Sequence, residues 1–333
     1  MKKKKPKPLD IESLIICPNC SHKITKTAKE LYCTNCNSHY PIVNTIPILI
    51  ASEDKHKIEE AAYHSSVSSI YRQLHQLESF RNIYYHLQSL KPILECGAHS
   101  TVLELGCGTG YDAAFLLKKR LIVVETDISA GQVLEAKKEL VKKGLEKNAL
   151  FYAADAENIP FADETFNATL ITAALHHLEH PVKSLSEMKR CTKKEGIIVI
   201  AMEPNRYEWI RIIGYGFSIV KKIILCLLGE KLFKNILKRT KKMREPTVER
   251  TFSKREILSL MKEAGLYPQR IKGIWFTCGF IHWFITLLNK ITKKTWYIGR
   301  DIEEIFVLID ECISKIPIIN AFACNWTIHC RRD

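Results

Sequence analysis

Four cysteines stand as two pairs, Cys17-x2-Cys20 and Cys33-x2-Cys36, with twelve residues between the pairs. Thiolates at this spacing can supply four ligands to a tetrahedral zinc ion, and four protein ligands leave no coordination position open for catalysis. His22 and His39 are close by but surplus to such a site. A bound metal would also explain how so short a unit folds.

A second constellation begins at "VLELGCGTG" (102–110), written Glu104-x-Gly106-x-Gly108-x-Gly110. Glycines let a backbone take positive φ and approach a ligand closely. A triphosphate-binding loop would need a lysine directly after the last glycine, and none occurs before Lys118. A dinucleotide site would favour a glycine at 111, where Tyr111 stands. The helix expected to start near Tyr111 offers free N–H groups to a carboxylate as readily as to a phosphate.

Two acids downstream sharpen this reading. Asp127 ends a second strand about twenty residues beyond the turn, where a carboxylate can accept from ribose hydroxyls. Asp155 ends a third, within reach of an adenine amino group. Ligands of open α/β sheets bind outside the carboxyl ends of the strands, so these positions converge. A ligand with a carboxylate, a ribose and an adenine, and no phosphate, is implied, and S-adenosylmethionine fits that description.

Residues 101–204 resemble the class I S-adenosylmethionine-dependent methyltransferases, in particular the broad small-molecule branch termed type 11. The stretches carrying the resemblance, in order, are "VLELGCGTG", "TDIS", "DAENIPFADETFN", "ALHHLEHPVKSLSEMKR" and "GIIVIAMEPN". The resemblance implies that Gly106, Gly108 and Gly110 line the methionine end, and that Asp127 binds the ribose with Ile128 beside it. It also implies that Asp155 and the Ala156 backbone read the adenine, and that Glu104 orders the turn or touches the methionine amino group. Asn167 departs from the family's usual aspartate, away from the cofactor contacts.

His176 and His177 follow the fourth strand and face the expected acceptor space. They are the candidate bases, or else they cap and pack the next helix. His177 aligns with a histidine that several quinone O-methyltransferases are thought to use as a base. Acidic residues hold a metal in that subgroup, but the matching positions here are Ala173 and His176, so that metal is not carried over. With "YPIVNTIPILI" (40–50), the cysteine segment resembles the zinc-ribbon activator subunit of tRNA, rRNA and release-factor methyltransferases, here fused ahead of the enzyme.

Elements must hold these residues in place. From 101 onward apolar strands (101–105, 121–126, 149–154, 167–174, 196–202) alternate with amphipathic helices, among them 130–144 ending at Gly144. Such alternation implies a parallel sheet with right-handed crossovers. The expected architecture is a Rossmann-like, seven-stranded, mostly parallel α/β sheet with helices on both faces, preceded by a small zinc ribbon. Its expected divisions are a basic tail and ribbon at 1–50, helices at 51–98 and the methyltransferase domain at 99–333. Lid insertions are expected at about 205–250 and 277–318. The stretch 71–90 reads as helical, and Ser253 with Glu256 fits a capping box before a helix stopped by Gly265.

Fifty Lys and Arg against 36 Asp and Glu give a formal charge of +14. The excess clusters at Lys2–Lys5 with Lys7 and in "KLFKNILKRTKKMR" (231–244). Solvated surface, an anionic membrane or RNA would each account for such runs. "PKPLD" interrupts the basic head, so no secretory signal is expected and reduced thiols place the chain in the cytoplasm, with a peripheral membrane site open. The longest uncharged stretch, 273–289, carries His282, Asn289 and two glycines, and reads as buried or as a lid rather than as a span. The cysteines outside the two pairs, Cys96 and Cys312 among them, read as buried packing residues.

Taken together, these features favour a methyltransferase acting on an apolar or lipid-like small molecule. An RNA methyltransferase using the ribbon and basic surface is the second reading, weakened by the absence of an "NPPY"-type sequence after strand four. A non-catalytic scaffold with the same fold is the third.

Overall fold

A computed structural model describes residues 10–51, 55–207, 250–292 and 296–333. The two basic clusters and most of the 205–250 insertion lie outside the described residues.

Eleven strands run β1 (Thr25–Lys26), β2 (Glu30–Tyr32), β3 (His39–Val43), β4 (Ile46–Leu49), β5 (Thr101–Leu105), β6 (Ile122–Asp127), β7 (Ala149–Ala154), β8 (Phe166–Thr172), β9 (Thr192–Pro204), β10 (Pro268–Ile274) and β11 (Asn325–Arg331). Their spatial order is β1-β2-β3-β4-β7-β6-β5-β8-β9-β11-β10. The seven strands from β7 to β10 form the sheet that the sequence implies. Neighbours from β7 through β9 are parallel, and β11 and β10 close the far edge antiparallel. Every residue of β5 is buried, as expected for a strand covered on both faces. Two apolar cores, one around Leu103 and one around Val102, account for that burial.

The cysteine unit does not stand apart from this sheet. A two-residue loop at Asn44 and Thr45, both at positive φ, turns β3 back into β4 as tight hairpins do. β4 then adds itself parallel to β7, with Ile48 opposite Ala153 and Leu49 opposite Ala154. Ile11, Ile15, Leu31 and Leu49 join the same apolar core as Val124, Tyr152 and Phe161. The sheet therefore crosses the expected boundary at residue 50.

Ten helices accompany the strands among the described residues. Those that matter for the site are α1 (Lys55–Val67), α2 (Tyr71–Leu74), α3 (Phe80–Leu94), α4 (Tyr111–Lys118), α5 (Ala130–Lys142), α6 (Pro181–Cys191), α7 (Lys254–Glu263) and α8 (Thr277–Thr292). The helix expected over 71–90 is broken. Gln76 takes φ +51°, Asn82 Nδ2 donates to the carbonyls of His75 and Gln76, and Ser79 restarts the chain as the N-cap of α3. Gly144 lies just past α5 at φ +65°, and the capping box of Ser253 with Glu256 opens α7. Polar residues 55–67, which carry no strong apolar period, form α1. It docks on α5 through Ser65 Oγ and Ser129 Oγ, 2.8 Å apart, and comes so close at Gly131 that a Cβ would sit 2.9 Å from Ser65.

Among the described residues, no helix is long and apolar enough to cross a membrane. Cys96 is half-buried and Cys312 is exposed, which corrects their reading as core residues.

Candidate active site

Between β5 and α4 the three glycines sit at φ +64°, +52° and +67°, a region closed to most side chains. At Gly106 a Cβ would also fall 2.5 Å from that of Ala174. Gly106 and Gly108 line a cleft with two lobes, of about 530 Å³ and about 100 Å³. Gly110 lines neither lobe. It caps α4, and a Cβ there would meet Ala136 of α5 at 3.0 Å. Gly110 thus serves helix packing.

Beneath the turn, Glu104 and Glu125 stand side by side on β5 and β6, both buried. Burial pushes the Glu125 carboxyl up to about 8, and the charges of Asp112 and Asp127 add to the rise. Burial, with Glu125 and Asp112 nearby, also raises Glu104 well above the usual carboxylate range. Glu104 Oε2 and both Glu125 oxygens accept no hydrogen bond. A cation bound beside these carboxyls would favour their ionised form.

The smaller lobe is lined by Asp127, Ile128, Asp155 and Ala156 from the ends of β6 and β7, with Lys57, Glu60 and His64 of α1 across it. Asp127 holds the turn together, accepting from the Gly108 N–H at 3.0 Å and the Ser129 N–H at 2.9 Å. Asp155 accepts from the Glu157 N–H at 2.8 Å. Its other oxygen pairs with Lys57 Nζ at 2.7 Å, and the same ammonium reaches Glu157 Oε2 at 2.8 Å. Lys57 thus occupies the side of Asp155 assigned to the adenine, a contact that nothing in the spacing of the sequence announces.

Leu77, Met202, Trp275 and Trp283 give the larger lobe apolar walls. Gly279, His282 and Thr286 of α8 also line it. His176 and His177 both border this lobe, with ring centres 4.1 Å apart, but their partners differ. Glu203, fully buried at the end of β9, accepts from the N–H groups of Ala174, Leu175 and His176. It also lies 3.0 Å from His176 Nδ1, fixing that ring and leaving Nε2 as the atom that can take a proton. His177 Nδ1 faces Glu60 at 3.7 Å.

A third histidine was not legible in the sequence. His86 Nδ1 lies 2.6 Å from Asp112 Oδ1, and Asp112 Oδ2 accepts from Thr172 Oγ1 at 2.8 Å. All three border the larger lobe. The only sequence signal was Asp112 in the first turn of the helix after the glycines, and its partner comes from a separate helix. Asn167 sits at the opposite end of the sheet, where its Oδ1 accepts from the Thr101 N–H at 3.0 Å.

In the cysteine unit, Cys17 Sγ lies 3.5 Å from Cys36 Sγ, and Cys20 Sγ lies 3.4 Å from Cys33 Sγ. All four sulfurs are within 4.8 Å of one another and none is in a disulfide. Tetrahedral zinc with bonds of about 2.3 Å spaces its sulfurs by about 3.8 Å, close to this arrangement. Tyr40 Oη at 3.1 Å from Cys17 Sγ and Ser38 Oγ at 3.2 Å from Cys36 Sγ are the outer contacts such a site uses to orient its ligands. His22 is turned to the Cys20 carbonyl and His39 to Glu30, so neither belongs to the group.

Residues 103–200 match a methyltransferase domain family. The demethylmenaquinone methyltransferase of Beutenbergia cavernae is 38% identical over 100 residues, 30% of this chain and 39% of that protein. That of Thermobifida fusca is 29% identical over 171 residues, 51% of this chain and 72% of that protein. The chain thus spans less than half of the first relative and about seven tenths of the second. Among solved structures, phosphoethanolamine N-methyltransferase 2 of Haemonchus contortus in complex with S-adenosyl-L-methionine aligns with a TM-score of 0.53. It is 15% identical, over 86% of this chain and 61% of that one. The [4+2]-cyclase SpnF aligns with a TM-score of 0.53 at 14% identity, over 81% of this chain and 95% of that one. Because a cyclase shares the fold, the fold alone does not choose the reaction. The family match identifies residues 103–200 as a methyltransferase domain.

Proposed function

We propose that this chain is an S-adenosylmethionine-dependent methyltransferase acting on an apolar, ring-bearing small molecule of quinone or related lipid-like type. The observation that carries the reading is the meeting of Gly106, Asp127 and Asp155, from the ends of three neighbouring parallel strands, along one cleft whose larger lobe also reaches Glu104. Glu104, ionised beside a cation, fits a cofactor bearing an ammonium and a sulfonium. Gly106 and Gly108 would take its methionine end, Asp127 with Ile128 its ribose, and Asp155 with Ala156 its adenine once Lys57 yields. When bound, the cofactor supplies a methyl group already activated for in-line transfer.

The protein's share is alignment and proton removal. Trp275, Trp283, Leu77 and Met202 would seat an apolar acceptor and keep water from it. His176, oriented by Glu203, would take the acceptor's proton at Nε2, with the His86–Asp112 pair as the second candidate base. The names of the two relatives make a demethylated naphthoquinol the first acceptor to offer.

The four cysteines would hold one structural zinc. Because Leu31 and Leu49 pack into the methyltransferase core, that zinc would support the sheet edge nearest Asp155. Incubating purified protein, cell extract and methyl-labelled cofactor tests the whole reading. Label should enter the organic-soluble fraction. Label in RNA would move the assignment to the RNA reading, and label in no fraction would support the scaffold.

A further inference from the structure

Two cavity-lining histidines and one carboxylate remain unexplained by the reading above. Glu60 and His64 lie one turn apart on α1, so they share a face of the helix. His177 approaches from the turn after β8. His64 Nε2 is 3.1 Å from one Glu60 oxygen and His177 Nδ1 is 3.7 Å from the other. One ligand atom from each residue lies within 4.8 Å of the other two. The imidazoles meet edge to face with centres 5.4 Å apart.

Burial makes this cluster more than a surface group. Glu60 is only 5% exposed, yet neither of its oxygens accepts an aligned hydrogen bond, and His177 Nδ1 has none either. A buried carboxylate without hydrogen bonds is costly unless a cation compensates it. Lys57 of the same helix is already committed to Asp155 and Glu157, and a third histidine, His56, stands with Nε2 4.0 Å from Glu60.

We propose that Glu60, His64 and His177 bind a divalent first-row transition metal, separate from the four-cysteine site. Metal bonds of about 2.0–2.2 Å place neighbouring ligand atoms about 3 Å apart and opposite ones about 4 Å apart, spacings that this cluster spans. Two imidazoles and one carboxylate suit zinc, cobalt or nickel better than magnesium or calcium, which favour oxygen. Three protein ligands leave at least one position open. His64 and His177 border both lobes and Glu60 the smaller one, so that position opens where the cofactor and acceptor spaces meet, and water or a hydroxyl oxygen of an acceptor can enter. On this assignment His177 is a ligand rather than a base, leaving proton transfer to His176 or His86.

The site does not depend on the methyltransferase reading, and its test keeps the two apart. Full-length protein purified with zinc in the cysteine site is titrated with Co²⁺ and dialysed. Bound metals are counted, and the visible spectrum is recorded. The parent should carry one zinc and one cobalt per chain, the cobalt giving bands of nitrogen and oxygen ligation without thiolate charge transfer. Glu60→Gln, which keeps the shape of the side chain, and His64→Ala should each weaken cobalt binding at least tenfold while retaining zinc. Zinc retention shows that the variant is folded. A parent that takes up no cobalt, or variants that bind it as tightly as the parent, would overturn the proposal. Cofactor binding by the parent, measured before cobalt is added, reports on the methyltransferase reading independently.

Discussion

The cysteine unit and the cleft are two sites built by opposite means. Cys17, Cys20, Cys33 and Cys36 come from one short run of chain, and the loops between them suffice to bring their sulfurs together. The cleft draws on α1, three strand ends and α8, so its geometry exists only when the sheet does. The first site is local and the second is global. They are nevertheless coupled, because β4 joins the cysteine unit to β7 one strand away from Asp127.

Metal removal should break the comparison most severely. Structural zinc sites contribute apparent free energies of about 10–16 kcal/mol. Chelation, or Cys20→Ser with Cys33→Ser, should therefore unfold the cysteine unit and lower the melting temperature of the whole chain by more than 10 °C, a figure on the order of that free-energy range. Calorimetric scans would check this. An unchanged transition would show that β4 is dispensable to the sheet.

A smaller effect should come from the acids under the glycine turn. The raised carboxyl of Glu125, at about 8 in the folded protein, holds its proton where the unfolded chain has lost it. Its stabilising share is therefore complete below the ordinary carboxylate range and is lost as pH climbs toward 8. Glu125→Gln should flatten the decline in stability between pH 5 and pH 8 by a few kcal/mol at the upper end, on the order expected for a shift of this size. Denaturant unfolding at a series of pH values reads it directly. Parallel curves for parent and variant would contradict the assignment.

The smallest effects sharpen the contrast within the turn itself. Gly106→Ala should weaken cofactor binding by about tenfold or more, since the residue combines left-handed backbone with a clash against Ala174. Gly110→Ala should instead cost about 1–2 kcal/mol of stability, through Ala136, and leave the affinity of the folded protein within about threefold. Paired titrations and melts would show whether the two glycines separate in this way.

How much of each site the sequence disclosed follows from the same contrast. Spacing alone picks out the four-cysteine cluster, because so little chain lies between its members. The strand ends were legible for a similar reason, since Gly106, Asp127 and Asp155 each follow an apolar run whose period marks its own end. The alternation also placed β5, β7 and the capped helix α7 to within a residue or so. What remained hidden are pairs joined across the fold. His86 with Asp112, His176 with Glu203 and Lys57 with Asp155 each bring together side chains from separate elements, and no periodicity encodes such meetings. Helix α1 was hidden for another reason. Its weak apolar period conceals a helix held in place by Ser65 and Gly131 against α5. Gly110 stands apart from these, a motif residue whose neighbours are helix.

The central claim is that the cleft holds S-adenosylmethionine, and titration calorimetry on the intact chain tests it most directly. The parent should bind one equivalent, and Asp127→Ala should weaken that binding at least tenfold, since hydrogen bonds to a charged group contribute about 1.5–3 kcal/mol. No binding by the parent, or equal affinity in the variant, would contradict it.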